Sequence, residues 1–273
     1  MTRPLAGRLA LVTGASSGIG QAVAVELAAA GARLVLVSRS EARLRDAARA
    51  VEAAGDAGRT PLLVASDVAD AEAVHRLAQR VEAEAGSPDL VVSNAGIGHF
   101  GPVATLPLPR FRAILEVNLL GAVHCTQAFL PAMLRRRQGT LVFVSSGLGV
   151  LPFPGSAAYC ASKHALNGFA GALRAEVEPQ GVKVLLVLPG GTRTPFFEAN
   201  AYPPEVLSRY LFQRLTSPER VARAVVRAVV RGRRRVVIGP LNDVGLRLAG
   251  AFPGLAAAFL ARAGRRLAAG DPR

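Results

Sequence analysis

The sequence is poor in the residues that build disulfide frameworks and metal centres. Its two cysteines, Cys125 and Cys160, fit neither a CxxC pair nor a Cys/His metal spacing, and its four histidines are scattered. The N-terminus carries no apolar secretory segment. We therefore expect a reduced, cytoplasmic protein that holds no metal ion.

A transmembrane span is not predicted at the apolar C-terminus either. The uncharged stretch 248–261 is fourteen residues long and contains Pro253 and Gly254, so it is too short to cross a bilayer. Apolar residues on one face are followed by arginines, which is typical of an amphipathic helix. We predict that residues 241–273 form a C-terminal extension that packs on the domain, covers a ligand entrance or a subunit contact, or rests on an anionic membrane.

Tryptophan is absent, and basic residues outnumber acidic ones by 33 to 19, for a formal net charge of +14. Such a charge can indicate a nucleic-acid or membrane partner. Here the arginines are spread through the predicted helices. The one dense run, 231–235, has no interleaved aromatic residues and ends a helix, where basic residues complement the helix dipole. We predict a solvated face and no nucleic-acid partner.

Short apolar runs alternate with helical patterns along the chain. The predicted strands are 9–13, 33–37, 62–66, 90–93, 141–145, 183–188 and 236–238. The predicted helices are 18–30, 41–54, 71–85, 110–134 (interrupted at Asn118 and Gly121), 157–178 and 217–230. Continuous apolar strands indicate a parallel sheet covered on both faces, and repeated βαβ units indicate a doubly wound α/β domain. A ligand is expected at the carboxyl ends of the strands.

Lys163 is one of two lysines beside thirty-one arginines, and it follows Tyr159 by four residues. On a helix, side chains at this spacing share a face. An ammonium near a phenol favours the phenolate and would lower the pKa of the tyrosine. The pair alone is also compatible with an incidental helical neighbour.

A glycine-rich turn, Gly14-x-x-x-Gly18-x-Gly20, follows the first strand and opens the first helix, where free amides and the helix dipole can bind phosphates. Further along the chain come Asp67-Val68, Asn94-Ala95-Gly96, Asn118, a serine thirteen residues before Tyr159, and a Pro-Gly-Gly-Thr segment at 189–192. In this order the motifs resemble the short-chain dehydrogenase/reductase family over residues 5–240. The resemblance implies one Rossmann-type domain, 1–240, with a mostly parallel seven-stranded sheet in the order 3-2-1-4-5-6-7.

The resemblance also implies roles for individual residues. Tyr159 is the expected general acid or base, Lys163 lowers its pKa and binds the nicotinamide ribose, and Ser146 polarises the substrate oxygen. Asn118 is expected to hold a water in the proton relay. The implied cofactor-binding residues are Gly14, Ser16, Ser17, Gly18, Ile19, Gly20, Ser38, Arg39, Asp67, Val68, Asn94, Ala95, Gly96, Tyr159, Lys163, Pro189, Gly190, Thr192 and Thr194.

Cofactor choice depends on the residues after the second strand. An NAD enzyme places a carboxylate there, whereas an NADP enzyme places an arginine. Arg39 occupies this position, and the nearest carboxylate, Glu41, lies beyond the turn. We predict a preference for NADP(H), with NAD(H) as the alternative, although the turn itself offers Ser16 and Ser17 rather than a second basic residue.

Aromatic residues are concentrated in 192–217, where the family has a mobile substrate lid. We therefore expect a small hydrophobic ketone, aldehyde or secondary alcohol as substrate. The residues expected to contact it are Ser146, Leu148, Phe153, Tyr159, Gly191 and Phe196. A homodimer or homotetramer through the helices at 110–134 and 157–178 follows from the resemblance. The alternative is a sensor that binds NADP without turnover, but it would not need the complete catalytic set.

Overall fold

The computed structural model describes residues 3–55, 59–200, 202, 215–239 and 251–268. Within these residues seven strands form one sheet. The strands are β1 (Leu9–Thr13), β2 (Arg33–Ser38), β3 (Leu62–Ala65), β4 (Leu90–Ser93), β5 (Gly139–Val144), β6 (Val182–Pro189) and β7 (Arg235–Ile238). Their order is β3-β2-β1-β4-β5-β6-β7, and every pairing is parallel. The predicted strand order is confirmed, and the described sheet is wholly rather than mostly parallel.

Helices cover both faces of the sheet. They are α1 (Gly18–Ala29), α2 (Glu41–Ala54), α3 (Ala71–Glu84), α4 (Leu108–Leu115), α5 (Gly121–Arg136), α6 (Ala157–Val177), α7 (Phe196–Ala199), α8 (Pro218–Val230) and α9 (Pro253–Ala268). One core lies under α1, α2 and α8, and a second lies under α3, α5 and α6. Because both faces are covered, alternate residues of each strand enter opposite cores, which explains the continuous apolar runs.

The helix after β4 does not break where the sequence predicted interruptions. A π-helical turn, Glu116–Leu120, joins α4 to α5, so the helix continues from Leu108 to Arg136. Asn118 lies inside this turn, and Gly121 follows because a Cβ there would lie 2.7 Å from the side chain of Val68. Tertiary contacts therefore stabilise a helix that local propensity disfavours.

By length and composition, this 29-residue helix is also the one candidate membrane span among the described residues. Its inner face contributes Cys125, Phe129 and Met133 to the second core, and all three side chains are buried. Core helices of this kind pass the same test of length and hydropathy.

The C-terminal extension contains a helix, but its limits differ from the predicted ones. Of the stretch 248–261, residues 248–250 lie outside the described residues, and α9 begins at Pro253 and continues to Ala268. Proline does not break this helix because the first helical position needs no backbone donor. The helix lies beside the loop that precedes α6, since a Cβ on Gly264 would be 3.6 Å from Cγ of Pro154. The division into a domain, 1–240, and an extension stays a prediction.

Candidate active site

The turn after β1 is built to bring backbone amides close to a ligand. Gly14 and Gly18 have φ values of +64° and +57°, which favour glycine. A Cβ at Gly14 would lie 2.9 Å from Cα of Ala95, so the turn packs tightly on the neighbouring strand end. Among the described residues no side chain caps α1, whose N-cap is Ser17. Its first amides therefore remain available to a phosphate.

Thr13, which sequence reasoning did not single out, joins this turn to the end of β4. Its buried hydroxyl accepts hydrogen bonds from the amides of Asn94 (3.0 Å) and Ala95 (3.1 Å) and donates to the Val92 carbonyl (3.3 Å). The Asn94 side chain donates to the Thr13 carbonyl at 3.0 Å. The segment Asn94–Ala95–Gly96 thus supports the turn and forms the floor of the site between β1 and β4. Only the pairing of β1 with β4 reveals this role for Thr13.

The end of β2 leaves two arginines at the edge of the site. Glu41, the nearest carboxylate in sequence, accepts a hydrogen bond from Arg45 at 2.7 Å. Arg39 and Arg43 are exposed and line the cavity. Sequence reasoning selected Arg39 but missed Arg43, which is one helical turn further along. This end of the site can therefore hold a phosphate between two guanidinium groups.

Asp67 and Val68 close the same end after β3. The Asp67 carboxylate accepts from the Ala69 amide at 3.0 Å, which holds the loop in a tight turn. The Val68 carbonyl is bonded to the ring of His124 at 2.9 Å. The loop therefore presents a fixed carboxylate and an apolar side chain to the cavity.

The segment after β6 covers the glycine-rich turn from above. Backbone hydrogen bonds link Gly191 and Arg193 to Thr216, so the segment is fixed at a second point beyond the sheet. Thr194 then lies over the turn, where a Cβ on Gly18 would be 3.1 Å from its side chain. Between the end of β6 and Thr194, the cavity is lined by Pro189, Gly190 and Thr192.

Asn118 is 2 % exposed, and its side chain is committed to protein groups. Its Oδ1 accepts from the Ile97 amide at 2.8 Å, and its Nδ2 donates to the Ile97 carbonyl and to Oγ of Ser162, each at 2.9 Å. It thereby fixes the loop after β4 against α6. The side chain therefore has no amide hydrogen left for the predicted water, because both already bind protein groups.

Ser146, Tyr159 and Lys163 converge at the end of β5. The Oγ of Ser146 accepts from the Leu148 amide at 3.1 Å, and the Ser146 side chain is close enough to the phenol to lower the pKa of Tyr159. Lys163 lies one turn after Tyr159 on α6, with Nζ 5.7 Å from the centre of the tyrosine ring. Its ammonium donates to the Val144 carbonyl at 2.9 Å. The residues that the sequence spacing paired are thus brought together with the serine of the neighbouring strand.

Burial dominates the titration of both groups. It raises the pKa of Tyr159 well above its ordinary value, and nearby Tyr202 adds to the rise, whereas the nearby Ser146 side chain lowers the pKa. Burial also lowers the pKa of Lys163 to about 8. The predicted lowering of the Tyr159 pKa by Lys163 is therefore outweighed in this structure, because desolvation disfavours the charged form of each group. Tyr159 is held as a phenol, which can donate a proton at neutral pH.

An aromatic cluster closes the substrate side. The ring of Phe196, in α7, lies 5.6 Å from that of Tyr159 and 6.1 Å from that of Tyr202. Tyr202 also contacts the rings of Phe197 and Phe100, each at 5.4 Å between centroids. The other predicted lid aromatics, in 203–214, lie outside the described residues. The described part of the lid is therefore an apolar wall directly against the tyrosine.

These elements enclose a cavity of about 680 Å³ along the carboxyl ends of the strands. All but three of the predicted site residues line it. Gly20 lies behind the turn and permits its close packing, Asn118 lies behind Ile97, and Phe153 is buried with its amide directed at the sulfur of Cys160. The volume of the cavity is that of a ligand pocket; the arginine pair follows β2, and Tyr159 lies beside the end of β5, with β1 and β4 between them.

The chain is similar to known proteins over most of its length. The family model for short chain dehydrogenase matches residues 8–203. The chain is 34 % identical over 244 residues to dehydrogenase/reductase SDR family member 7B of Xenopus laevis; the match covers 87 % of this chain and 75 % of that protein. It is 36 % identical over 244 residues to 3-ketodihydrosphingosine reductase of Bos taurus; this match covers 87 % of this chain and 73 % of that protein.

The fold also has a counterpart among solved structures. The crystal structure of a metagenomic short-chain oxidoreductase in complex with NADP superposes with a TM-score of 0.72 at 32 % identity. The match covers 86 % of this chain and 98 % of that one.

Proposed function

Since this chain belongs to the short-chain dehydrogenase/reductase family, we propose that it is an NADP(H)-dependent oxidoreductase that interconverts an apolar ketone or aldehyde and the corresponding alcohol. The observation that carries the proposal is the convergence of Ser146, Tyr159 and Lys163 beside an apolar wall, at the end of a cavity that begins at a glycine-rich turn. The NADP complex of the metagenomic relative supports the choice of cofactor.

The cofactor supplies the hydride, and the chain supplies position and the proton. The amides at the start of α1 bind the pyrophosphate, and Lys163 lies where it can bind the ribose. Ser146 donates to the substrate oxygen while Tyr159 transfers its phenolic proton to that oxygen. The raised pKa of Tyr159 keeps this proton in place until charge develops on the oxygen, which suits carbonyl reduction.

The test is the Tyr159→Phe variant, because Phe keeps the ring and removes the proton. We expect turnover to fall by about 10³-fold or more, with NADPH binding and unfolding free energy close to those of the wild type. The readouts are NADPH oxidation with medium-chain ketones, nicotinamide fluorescence on titration, and urea unfolding. Appreciable turnover by the variant would refute the assignment. Tight NADPH binding without turnover of any carbonyl by the wild type would favour the sensor alternative.

The choice of NADP over NAD is proposed to rest on Arg39 together with Arg43. Glu41 is bound by Arg45, so the segment directly after β2 offers no unpaired carboxylate to the ribose hydroxyl that distinguishes NAD from NADP. Arg39→Asp should reverse the ratio of the NADPH and NADH dissociation constants, and Arg43→Gln should weaken NADPH alone. The matched control is Arg49→Gln, since Arg49 is on the same helix as Arg43, pairs with Asp46 rather than with Glu41, and does not line the cavity. Unchanged ratios in Arg39→Asp would exclude it as the selector.

The remaining expectations concern assembly and location. We propose a homodimer or homotetramer, supported by the exposed apolar side chains Leu108 and Leu120 on the long helix. Light scattering that detected only monomer would contradict this. The cytoplasmic location stays a prediction. Among the alternatives for 241–273, the position of α9 beside Pro154 favours packing on the domain over a membrane contact.

A further inference from the structure

Arg110 is a cavity residue that neither the motifs nor the catalytic roles account for. It lies on α4, is half-buried and lines the same cavity as Tyr159. Its Nη2 donates to the Gly98 carbonyl at 2.6 Å and to Oδ1 of Asn200 at 3.0 Å. The guanidinium is therefore held in place from two sides, by the loop after β4 and by the residue that ends the lid helix α7.

Arg110 belongs to the substrate half of the cavity. The backbone that it contacts at Gly98 packs directly under the lid, because a Cβ there would lie 2.9 Å from Cζ of Phe196. The ring of Phe196 in turn contacts that of Tyr159. Arg110 is thus connected to the phenol of Tyr159 through the backbone of Gly98 and the ring of Phe196.

The distribution of charge makes Arg110 unusual. Five charged side chains from the described residues line the cavity: Arg39, Arg43, Asp67, Arg110 and Lys163. Three of them lie at the end remote from Tyr159: Arg39 and Arg43 follow β2, and Asp67 follows β3. Lys163 lies under the ring of Tyr159. Among the described residues, Arg110 is thus the one charged side chain that lines the substrate side of the cavity.

Within the described residues Arg110 has two hydrogen-bond partners, both neutral and both bound through Nη2. A guanidinium carries five N–H donors in a fixed fork, so none of the described residues uses those on Nε and Nη1, which can bind a ligand. The surrounding wall is aromatic, and in such surroundings a positive charge interacts more strongly with an anion than it does in water. A cation held at the edge of an apolar pocket is suited to an apolar molecule with one anionic end.

We propose that Arg110 binds an anionic head group, a carboxylate or a phosphate monoester, on an otherwise apolar substrate whose carbonyl lies at Ser146 and Tyr159. The proposal rests on the proposed function and deepens it, since it specifies an amphiphilic rather than a wholly neutral ketone. Binding of the head group by Arg110 would be coupled to the position of α7, because Asn200, at the end of α7, accepts a hydrogen bond from Arg110.

The test compares substrates that differ only in charge. A series of oxodecanoates, with the ketone at successive distances from the carboxylate, is reduced in parallel with the methyl esters and with matching oxoalkyl phosphates. For the best-placed ketone we expect kcat/KM to exceed that of its ester by about tenfold or more, as for other hydrogen bonds to a charged group. The phosphate arm shows which of the two anions is preferred.

Variants then assign the preference to one residue. In Arg110→Gln, the ratio of kcat/KM for acid and ester should fall to about one, whereas Arg110→Lys should retain part of it. Arg112→Gln is the matched control, because Arg112 is exposed on the same helix and does not line the cavity. If Arg110→Gln reduced kcat/KM for acid and ester equally, Arg110 would only hold the lid, and the proposal would be overturned. A wild-type preference for the ester would overturn it as well.

A binding measurement separates this proposal from the proposed function. Decanoate and methyl decanoate are titrated into the complex with oxidised NADP, followed by intrinsic fluorescence. Decanoate should bind at least tenfold more tightly to the wild type and to Arg112→Gln than to Arg110→Gln. If no ketone were reduced but this difference held, the oxidoreductase proposal would fail and the anion site would stand. Equal affinities in all three proteins would overturn the anion site even if ketones were reduced.

Discussion

The cost of burying Lys163 can be measured as a pH-dependent loss of stability. Its side chain is 3 % exposed, and burial lowers its pKa from 10.5 to about 8. Between these two values the folded protein binds fewer protons at this site than the unfolded chain does, so stability should rise as pH increases through the window. Below about pH 8 both states are protonated, and the full penalty applies.

The magnitude follows from the two pKa values. With 10.5 for the unfolded chain and about 8 for the folded protein, Lys163 lowers the free energy of unfolding by about 3 kcal/mol at pH 7 and by about 1.4 kcal/mol at pH 9.5. Lys163→Met removes the charge and keeps an unbranched apolar chain. The difference in unfolding free energy between variant and wild type should therefore shrink by about 2 kcal/mol from pH 7 to pH 9.5.

The assay is urea unfolding of both proteins at the two pH values, without cofactor and at one protein concentration. Only the change of the difference with pH is interpreted, because packing differences between Met and neutral Lys cancel in it. The variant should also lose NADPH-dependent turnover. A difference independent of pH, or one that grew at pH 9.5, would show that Lys163 is not desolvated in the folded protein.

Three further predictions concern packing and the extension. Gly20→Ala should lower the free energy of unfolding by about 2 kcal/mol, because its Cβ would overlap the glycine-rich turn, whereas Gly171→Ala, on open surface, should be neutral or slightly stabilising in the same urea titration. Asn118→Ala should cost about 2–3 kcal/mol, because it leaves buried polar groups unpaired. A variant that unfolds like the wild type would show that these groups find water. Truncation after Pro240 should leave sedimentation with anionic vesicles unchanged, since α9 lies against Pro154. Loss of vesicle binding would instead identify a membrane anchor.

The order of the elements was accessible from the sequence because its signals are local. Each strand buries both faces and so reads as a continuous apolar run, and the turn after β1 needs glycine at positions with positive φ. The pairing of Tyr159 with Lys163 is set by one turn of α6. The predictions that failed depended on neighbours outside the window, such as the packing of Val68 against Gly121 in a helix expected to break there.

Sequence alone therefore determined the family, the strand order and the residues that one turn or one helix brings together. The tertiary structure decided what distant segments do to each other. It placed the hydroxyl of Thr13 under the loop after β4, and it brought Asn200 to Arg110, ninety positions away along the chain. It also reversed the expected pKa shift of Tyr159, because the balance between a nearby ammonium and desolvation depends on how the surrounding segments bury the phenol. Such contacts are selected by packing across the sheet, and no local pattern of residues records them.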